Sequence, residues 1–447
     1  MQQERLRLLE CNTGRNKGGR GCLLNKRTPS LVLIVEKKFI AMKKSLLNLF
    51  TIFLTLMIFA GNNAQAQHRG GAKPPKYIFL FIGDGMGQAH ISLTEAYLSH
   101  KKSVIGNESF SFTKFPVTGL VTTFSANSYI TCSSAAGTAI ATGTKTNNGM
   151  LGIDPQENNL TSFAYNLKDK GYKIGILSSV SIDHATPGAF YASSKSRSSY
   201  YDIARQLPSS GFDFFGGGGF VNPDGEDKLQ TNIYTLIEKA GYKVAKGIEE
   251  MKNIKSKDKV VLVQKEGKGS DLPYAIDREE GDLTLKQIVS SAIKHLYNDK
   301  GFFIMAEGGK IDWAAHSNDG KAAILEVLDL GDAVDVAYQF YLEHPDETLI
   351  LVTADHETGG ITVGSQKGYV LKLSEIEEQK RSMAVDKANE EKYEEMNEKA
   401  FIGWTTTSHT GVSVPIYAIG AGSYNFTGRM DNTEISRKIL KSMKIEF

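Results

Sequence analysis

The chain has 447 residues, 41% hydrophobic and 23% charged, with a formal net charge of +2, which is ordinary for a soluble globular protein and fits one large α/β domain or two smaller ones. The basic balance is local. Residues 1–66 hold 11 Lys and Arg against 3 Asp and Glu, so the remainder carries 41 basic and 47 acidic residues, a net −6 that makes no case for nucleic-acid binding.

In chain order, residues 1–41 are rich in Arg and Lys and precede a complete export signal. They are expected to be an upstream extension, with the natural chain starting at Met42. Met42-Lys43-Lys44 opens a basic region, and Leu46 to Ala60 forms an apolar core. That core is shorter than the about 20 residues a membrane span needs. Ala64-Gln65-Ala66 then offers an A-x-A cleavage site. The expectation is a signal peptide over 42–66, a periplasmic or extracellular protein, and no membrane attachment after cleavage. Cys11 and Cys22 leave with this leader, so Cys132 remains as the only thiol and no intramolecular disulfide can form.

Residues 67–76 read as a flexible lead-in to a domain over 77–447. Continuous apolar runs at 77–82, 173–180, 258–263, 302–306 and 348–354 have the character of buried parallel strands. Helical patterns at 286–298 and 321–343 fall between them. The alternation predicts a doubly wound, mainly parallel central sheet with helices on both faces. The glycine run at 216–219 reads as a flexible loop; no Gly-Lys-Ser/Thr follows it, so it is not a phosphate loop. A Glu- and Lys-rich stretch within about 365–402 reads as a small, solvated helical insertion.

In such a sheet, ligands sit beyond the carboxyl ends of the strands. Polar clusters gather there: Asp84 in "FIGDGMG", Glu307, Asp312 and His316 in "MAEGGKIDWAAH", Asp355 and His356 in "LVTADHETGG", and His409 in "GWTTTSHTG". Asp312 and His316, four apart, share one side of a helix. Imidazoles and carboxylates without thiolates are the ligands of catalytic zinc and of magnesium. Two such cations suit phosphoryl transfer, which also needs an alcohol nucleophile and a cationic group on the phosphate. Arg197 supplies a bidentate cation. "YITCSSAAGTAIATG" sets Cys132, Ser133 and Ser134 side by side at the start of a helix, where the backbone N–H groups favour an anion. The residues alone do not choose among the three.

Six ordered motifs carry a resemblance: "GDGMG", "SSAAGTAIATGTKTNNGMLGID", "DHATPGAFYASSKSR", "EGGKIDWAAH", "VTADHETGG" and "GWTTTSHTG". From about Tyr77 to the C-terminus the chain resembles the alkaline phosphatase family. The resemblance implies hydrolysis of phosphate monoesters through a phosphoserine, at two Zn2+ and one Mg2+, commonly in a homodimer. It implies Asp312, His316 and His409 at the first zinc, and Asp84, Asp355 and His356 at the second. It implies Asp84, Thr186 and Glu307 at magnesium, and Arg197, ten residues after Pro187, as the phosphate clamp. The family keeps its nucleophile ten residues before the glycine that is Gly143 here, which gives Ser133; a slip of one would give Ser134. Three positions near the phosphate differ from or vary within the family pattern. Cys132 stands where Asp is usual, His184 where members carry Asp or His, and Trp313 where they carry Lys, His or Trp. The sulfatases of the superfamily need C-x-P-x-R, and Ser134 and Ala136 fill its Pro and Arg places. The remaining alternatives are a phosphodiesterase and a non-catalytic phosphate- or metal-binding protein on this fold.

Overall fold

The computed structural model describes residues 73–446 except Glu266, together with Lys43. The expected upstream extension, the signal peptide apart from Lys43, and the lead-in up to residue 72 lie outside the described residues. Gly71–Phe447 forms one compact unit.

Among the described residues, fourteen strands run in chain order: β1 Tyr77–Gly83, β2 Val117–Thr122, β3 Lys173–Ser178, β4 Phe214–Gly216, β5 Tyr242–Lys246, β6 Lys259–Val263 and β7 Phe302–Gly308, then β8 Thr348–Ala354, β9 Glu357–Thr358, β10 Thr362–Val363, β11 Ile402–Gly403, β12 His409–Thr410, β13 Val414–Gly420 and β14 Gly428–Asp431. Ten of them form one sheet in the order β14-β2-β13-β8-β1-β7-β3-β4-β6-β5. All neighbours are parallel except β13, which runs antiparallel to both β2 and β8. The five apolar runs read from the sequence are β1, β3, β6, β7 and β8. Every residue of β1, β7 and β8 is buried. Side chains alternate between the faces of a strand, so a fully buried strand is covered on both sides.

The helix Leu285–Leu296 starts in a capping box between Thr284 and Gln287 and turns Leu285, Ile288, Val289, Ala292 and Leu296 inward. It packs on β3, β4 and β7 and on the long helix Gly320–Glu343, which lies against β1, β7 and β8. No helix among the described residues is long and apolar enough to cross a membrane.

Two sequence readings change. The glycine run, read as a flexible loop, ends β4 and continues as a packed connection: residues 216–219 are all buried. A Cβ on Gly218 would lie 2.2 Å from Asp271 Cα, and one on Gly217 would lie 2.9 Å from Val180 O. The run is a close backbone contact that only glycine permits. The insertion is also more than a solvated helix. Its helix Glu390–Ala400 buries Tyr393, Met396 and Ala400. With Leu373, Ile376 and Met383 these form a satellite core against Leu93, Tyr97 and Ile324. Buried carboxylates fasten it: Asp277 accepts from Ser382 N, while Asp319 accepts from Met383 N at 2.7 Å and Gln379 Nε2 at 2.8 Å.

The register places the site. Gly83 of β1 is level with Gly308 of β7 and Ala354 of β8. The segments leaving these three adjacent strands therefore emerge side by side.

Candidate active site

Asp84 follows β1, Glu307 is the last residue but one of β7, and Asp355 and His356 follow β8. All four are fully buried. Asp312 and His316 lie one turn apart on the helix Lys310–His316, as the i, i+4 spacing predicts. His409 arrives from β12, which pairs with β9 so that His409 faces Thr358.

Ser133 is the first residue of the helix Ser133–Thr142, after Cys132 at its N-cap. Every residue of this helix is buried, and small side chains make that possible. Gly137 shows why: a Cβ there would lie only 3.3 Å from Thr186 Cα and Ala189 Cβ. The helix thus presses on the turn that carries Thr186. Ser133 Oγ lies 3.2 Å from His356 Nε2 and 3.4 Å from Arg197 Nη1. Ser134 Oγ turns the other way, to Cys132 Sγ at 3.2 Å. Cys132 Sγ also accepts from Gly149 N at 3.1 Å. The Arg197 guanidinium is steadied by His184 Nε2, 3.3 Å from Nη2. The His184 ring meets Trp313 edge-on with centroids 5.7 Å apart.

Whether this set fits cations is decided by its unpaired atoms. His316 Nδ1 lies 2.6 Å from Thr407 O and His409 Nδ1 lies 2.8 Å from Thr131 O. A carbonyl only accepts, so both Nδ1 atoms carry a proton, and in the neutral imidazoles both Nε2 atoms carry lone pairs. Those two Nε2 atoms face each other at 3.1 Å. Two lone pairs so placed repel unless a cation stands between them and Asp312, whose oxygens lie 3.4 and 3.5 Å away. Deeper in, both Asp84 oxygens, Asp355 Oδ2, Glu307 Oε1, Thr186 Oγ1 and His184 Nδ1 are buried without a hydrogen-bond partner. Unmet buried carboxylate oxygens cost several kcal/mol at about the lower end, and a cation removes that cost. His356 Nε2 sits among them, 3.3 Å from Asp84 Oδ1 and 3.2 Å from Asp355 Oδ2. The donor set fits metal ions.

Among the described residues, three groups have ligand atoms all within 4.8 Å of one another: Asp312, His316 and His409; Asp84, Asp312 and His356; Asp84, His184 and Glu307. Asp84 and Asp312 each belong to two groups, so the three adjoin.

A family model for alkaline phosphatase matches residues 75–218 and 220–445. The chain belongs to the alkaline phosphatase family. Alkaline phosphatase 3 of Bacillus subtilis (strain 168) is 32% identical over 436 residues, 86% of this chain and 92% of that protein. The cold-active alkaline phosphatase of the psychrophile Shewanella sp. superposes with a TM-score of 0.73 at 28% identity, covering 82% of this chain and 99% of its own. A TAB5 alkaline phosphatase variant, solved with magnesium in its M3 site, superposes with a TM-score of 0.69 at 28% identity, covering 84% of this chain and all of its own. The enzyme class is therefore that of the alkaline phosphatases.

By distance, Asp312 comes within range of Asp84 and His356, in addition to the residues the resemblance implied. His184 likewise comes within range of Asp84 and Glu307, and the Thr186 hydroxyl that the resemblance implied there is buried and unpaired. Sequence reasoning also missed Thr358, whose hydroxyl lies 2.5 Å from Asp312 Oδ1, and Ser178, which donates to Glu307 Oε2. The carbonyls of Thr131 and Thr407 were missed as well. A polar residue two positions after His356 was the one signal available for Thr358.

Electrostatics divides the alkaline phosphatase cluster. Burial, then the charges of Asp355 and Asp312, push Asp84 well up. Burial pushes Asp355 up to about 8 and Glu307 to about 7. Burial, then Arg197, pushes His184 down to about 3, and burial, then His409, pushes His356 well down. Asp312 goes the other way. Burial opposes its ionisation, but the neighbouring imidazoles, His316 first and then His356 and His409, hold it below the usual range. Crowded together in the interior, these carboxyl groups resist ionisation, and a positive charge among them would reverse that.

Proposed function

We propose that the chain is an exported, metal-dependent phosphomonoesterase that splits phosphate monoesters into an alcohol and inorganic phosphate through a phosphoserine on Ser133. Asp312, His316 and His409 would hold one zinc. Asp84, Asp355 and His356, with Asp312 in reach, would hold a second. Asp84, Glu307 and His184 or Thr186 would hold magnesium, consistent with the magnesium in the M3 site of the TAB5 variant. Bound cations would supply Lewis-acid charge that neutralises the phosphate and makes serine and water better nucleophiles.

The remaining steps belong to the chain. Ser133 stands at a helix start, so backbone N–H groups and the helix dipole favour phosphate beside it. The Arg197 guanidinium, 3.4 Å from Ser133 Oγ, is placed to grip two phosphate oxygens. The serine oxygen bonds to phosphorus as the ester oxygen leaves. The serine proton is lost and the departing alcohol gains one. Water then attacks phosphorus from the side the alcohol left, opposite Ser133; it gives up a proton, the Ser133–phosphorus bond breaks, and serine regains a proton.

The observation that carries this reading is the pair of Nε2 lone pairs facing each other beside Asp312, within the same constellation as Ser133 and Arg197. The test is phosphate release and metal content measured on one preparation against a panel of mono-, di- and sulfate esters. Monoester turnover with bound zinc supports it; a preparation that takes up no zinc overturns it. Export and homodimer formation belong to the same proposal. N-terminal sequencing of secreted protein should start just after Ala66, and light scattering should give twice the chain mass.

A further inference from the structure

Thr358 occupies a position that no ligand assignment covers. Its backbone N donates to Gly85 O at 3.1 Å, next to Asp84. It pairs across β9 and β12 with His409. Its hydroxyl donates to Asp312 Oδ1 at 2.5 Å and lies 3.3 Å from His356 Nδ1. One residue therefore touches members of each proposed zinc set.

The hydrogen bonds allow one arrangement. A threonine hydroxyl has one proton to give. With that proton on Asp312, the oxygen can only accept from His356, so Nδ1 must carry the imidazole proton. Nε2 is then left with a lone pair, and it is Nε2 that faces Asp84, Asp355 and Ser133. The hydroxyl also fixes which way the Asp312 carboxylate faces.

The backbone is shaped for this contact. Gly85 has φ +72°, and a Cβ there would lie 2.8 Å from Thr358 Oγ1 and 2.9 Å from Asp312 Cα. Gly359 has φ +86°, and a Cβ there would strike the Trp404 ring at 2.6 Å. Glycine on both sides lets the threonine in and locks it there.

We propose that Thr358 is a positioning residue that joins the two zinc sets, selecting the His356 tautomer and orienting Asp312 through a single hydroxyl. This rests on the proposed metal assignment. Outer-shell partners of metal ligands typically change affinity by about 10- to 100-fold.

The test compares Thr358→Val, which keeps the shape and removes the hydroxyl, with Thr358→Ser, which keeps the hydroxyl. The readouts are zinc per chain after reconstitution and the rate of zinc loss to a chelator. The Val variant should lose zinc at least about tenfold faster than the parent, and the Ser variant should stay within about threefold. Equal zinc retention in Val and parent overturns the proposal, as does a Ser variant that loses zinc as fast as Val. If the Val variant does not fold, Thr358→Ala replaces it under the same criteria. A parent that binds no zinc sinks the metal assignment instead, so the two failures are distinct.

Discussion

The two ends of the metal constellation are built on opposite principles. At the outer end, His316 has a side chain 37% exposed, and it and His409 are aimed by backbone carbonyls from Thr407 and Thr131. At the inner end, Asp84 and His356 are fully buried, and several oxygens have no partner. The outer half is oriented by hydrogen bonds, which bring two Nε2 lone pairs face to face beside Asp312. The inner half is preorganised by the sheet itself, because the ends of β1, β7 and β8 are level, and it is under electrostatic stress until cations arrive. One half orients its ligands; the other concentrates charge.

The largest effect should come where the two halves meet. Ser133→Ala should lower kcat by on the order of 1,000-fold or more, abolish phosphoenzyme formation and leave zinc content near the parental value. Ser134→Ala, whose hydroxyl faces Cys132, should stay within about threefold. Turnover retained in the first variant, or lost in the second, would move the nucleophile by one residue.

Next comes the asymmetry between the halves. Asp84→Asn should empty two of the three metal groups, since Asp84 belongs to both. His316→Ala should weaken the outer group alone. Metal analysis should show about one zinc lost from the second variant, and both zinc and magnesium depleted in the first. The two profiles coming out alike would dissolve the comparison.

The stress at the inner end predicts a pH dependence for the chelator-treated protein. Asp355 and Glu307 have folded values raised to about 8 and about 7. Between their unfolded values and these, the folded state binds more protons, so stability falls as pH rises. His184 and His356 are pushed down, and their opposing contribution is complete once pH passes the unfolded histidine value of about 6.5. The metal-free protein should therefore lose stability between about pH 6.5 and 8, and calorimetry should show the metal-loaded form resisting this fall. A metal-free Tm that is flat or rising across that window would contradict the stress.

The smallest effect concerns the cysteine at the helix start. Burial pushes the Cys132 thiol up, but Ser134, the N–H groups of Ala135 and Gly149, and Arg197 together bring it below its usual value. In place of Cys132, His184 steadies Arg197. Cys132→Asp would give the guanidinium a charged partner, with a phosphate inhibition constant changed by about two- to tenfold and little change in zinc content. An unchanged inhibition constant would show that His184 suffices.

Much of this was legible because burial writes itself into sequence. β1, β7 and β8 are covered on both faces, so they read as unbroken apolar runs, and the polar residues at their ends stood out. β13 did not, because "VPIYAIG" carries a proline and its antiparallel direction leaves no periodic mark. The glycine run misled because the Ser270–Asp271 backbone it touches is some fifty positions away in sequence. Thr358 and the carbonyls of Thr131 and Thr407 were hidden for the same reason: their partners lie 46 to 278 residues distant. His184 was noticed as a neighbour of the phosphate, but distance alone placed it with Asp84 and Glu307.

Asp319 gives the insertion a reach beyond its own fold. This carboxylate caps the helix Gly320–Glu343 through Ala322 N, holds Met383 and Gln379, and sits three residues after His316. The insertion also packs on Leu93 and Tyr97 of the helix Gln88–Lys101, which begins four residues after Asp84, and Glu377 meets Lys101 at the end of that helix. A peripheral segment thus leans on the chain at both ends of the cluster, through Asp319 beside the histidines and through this helix beside the carboxylates.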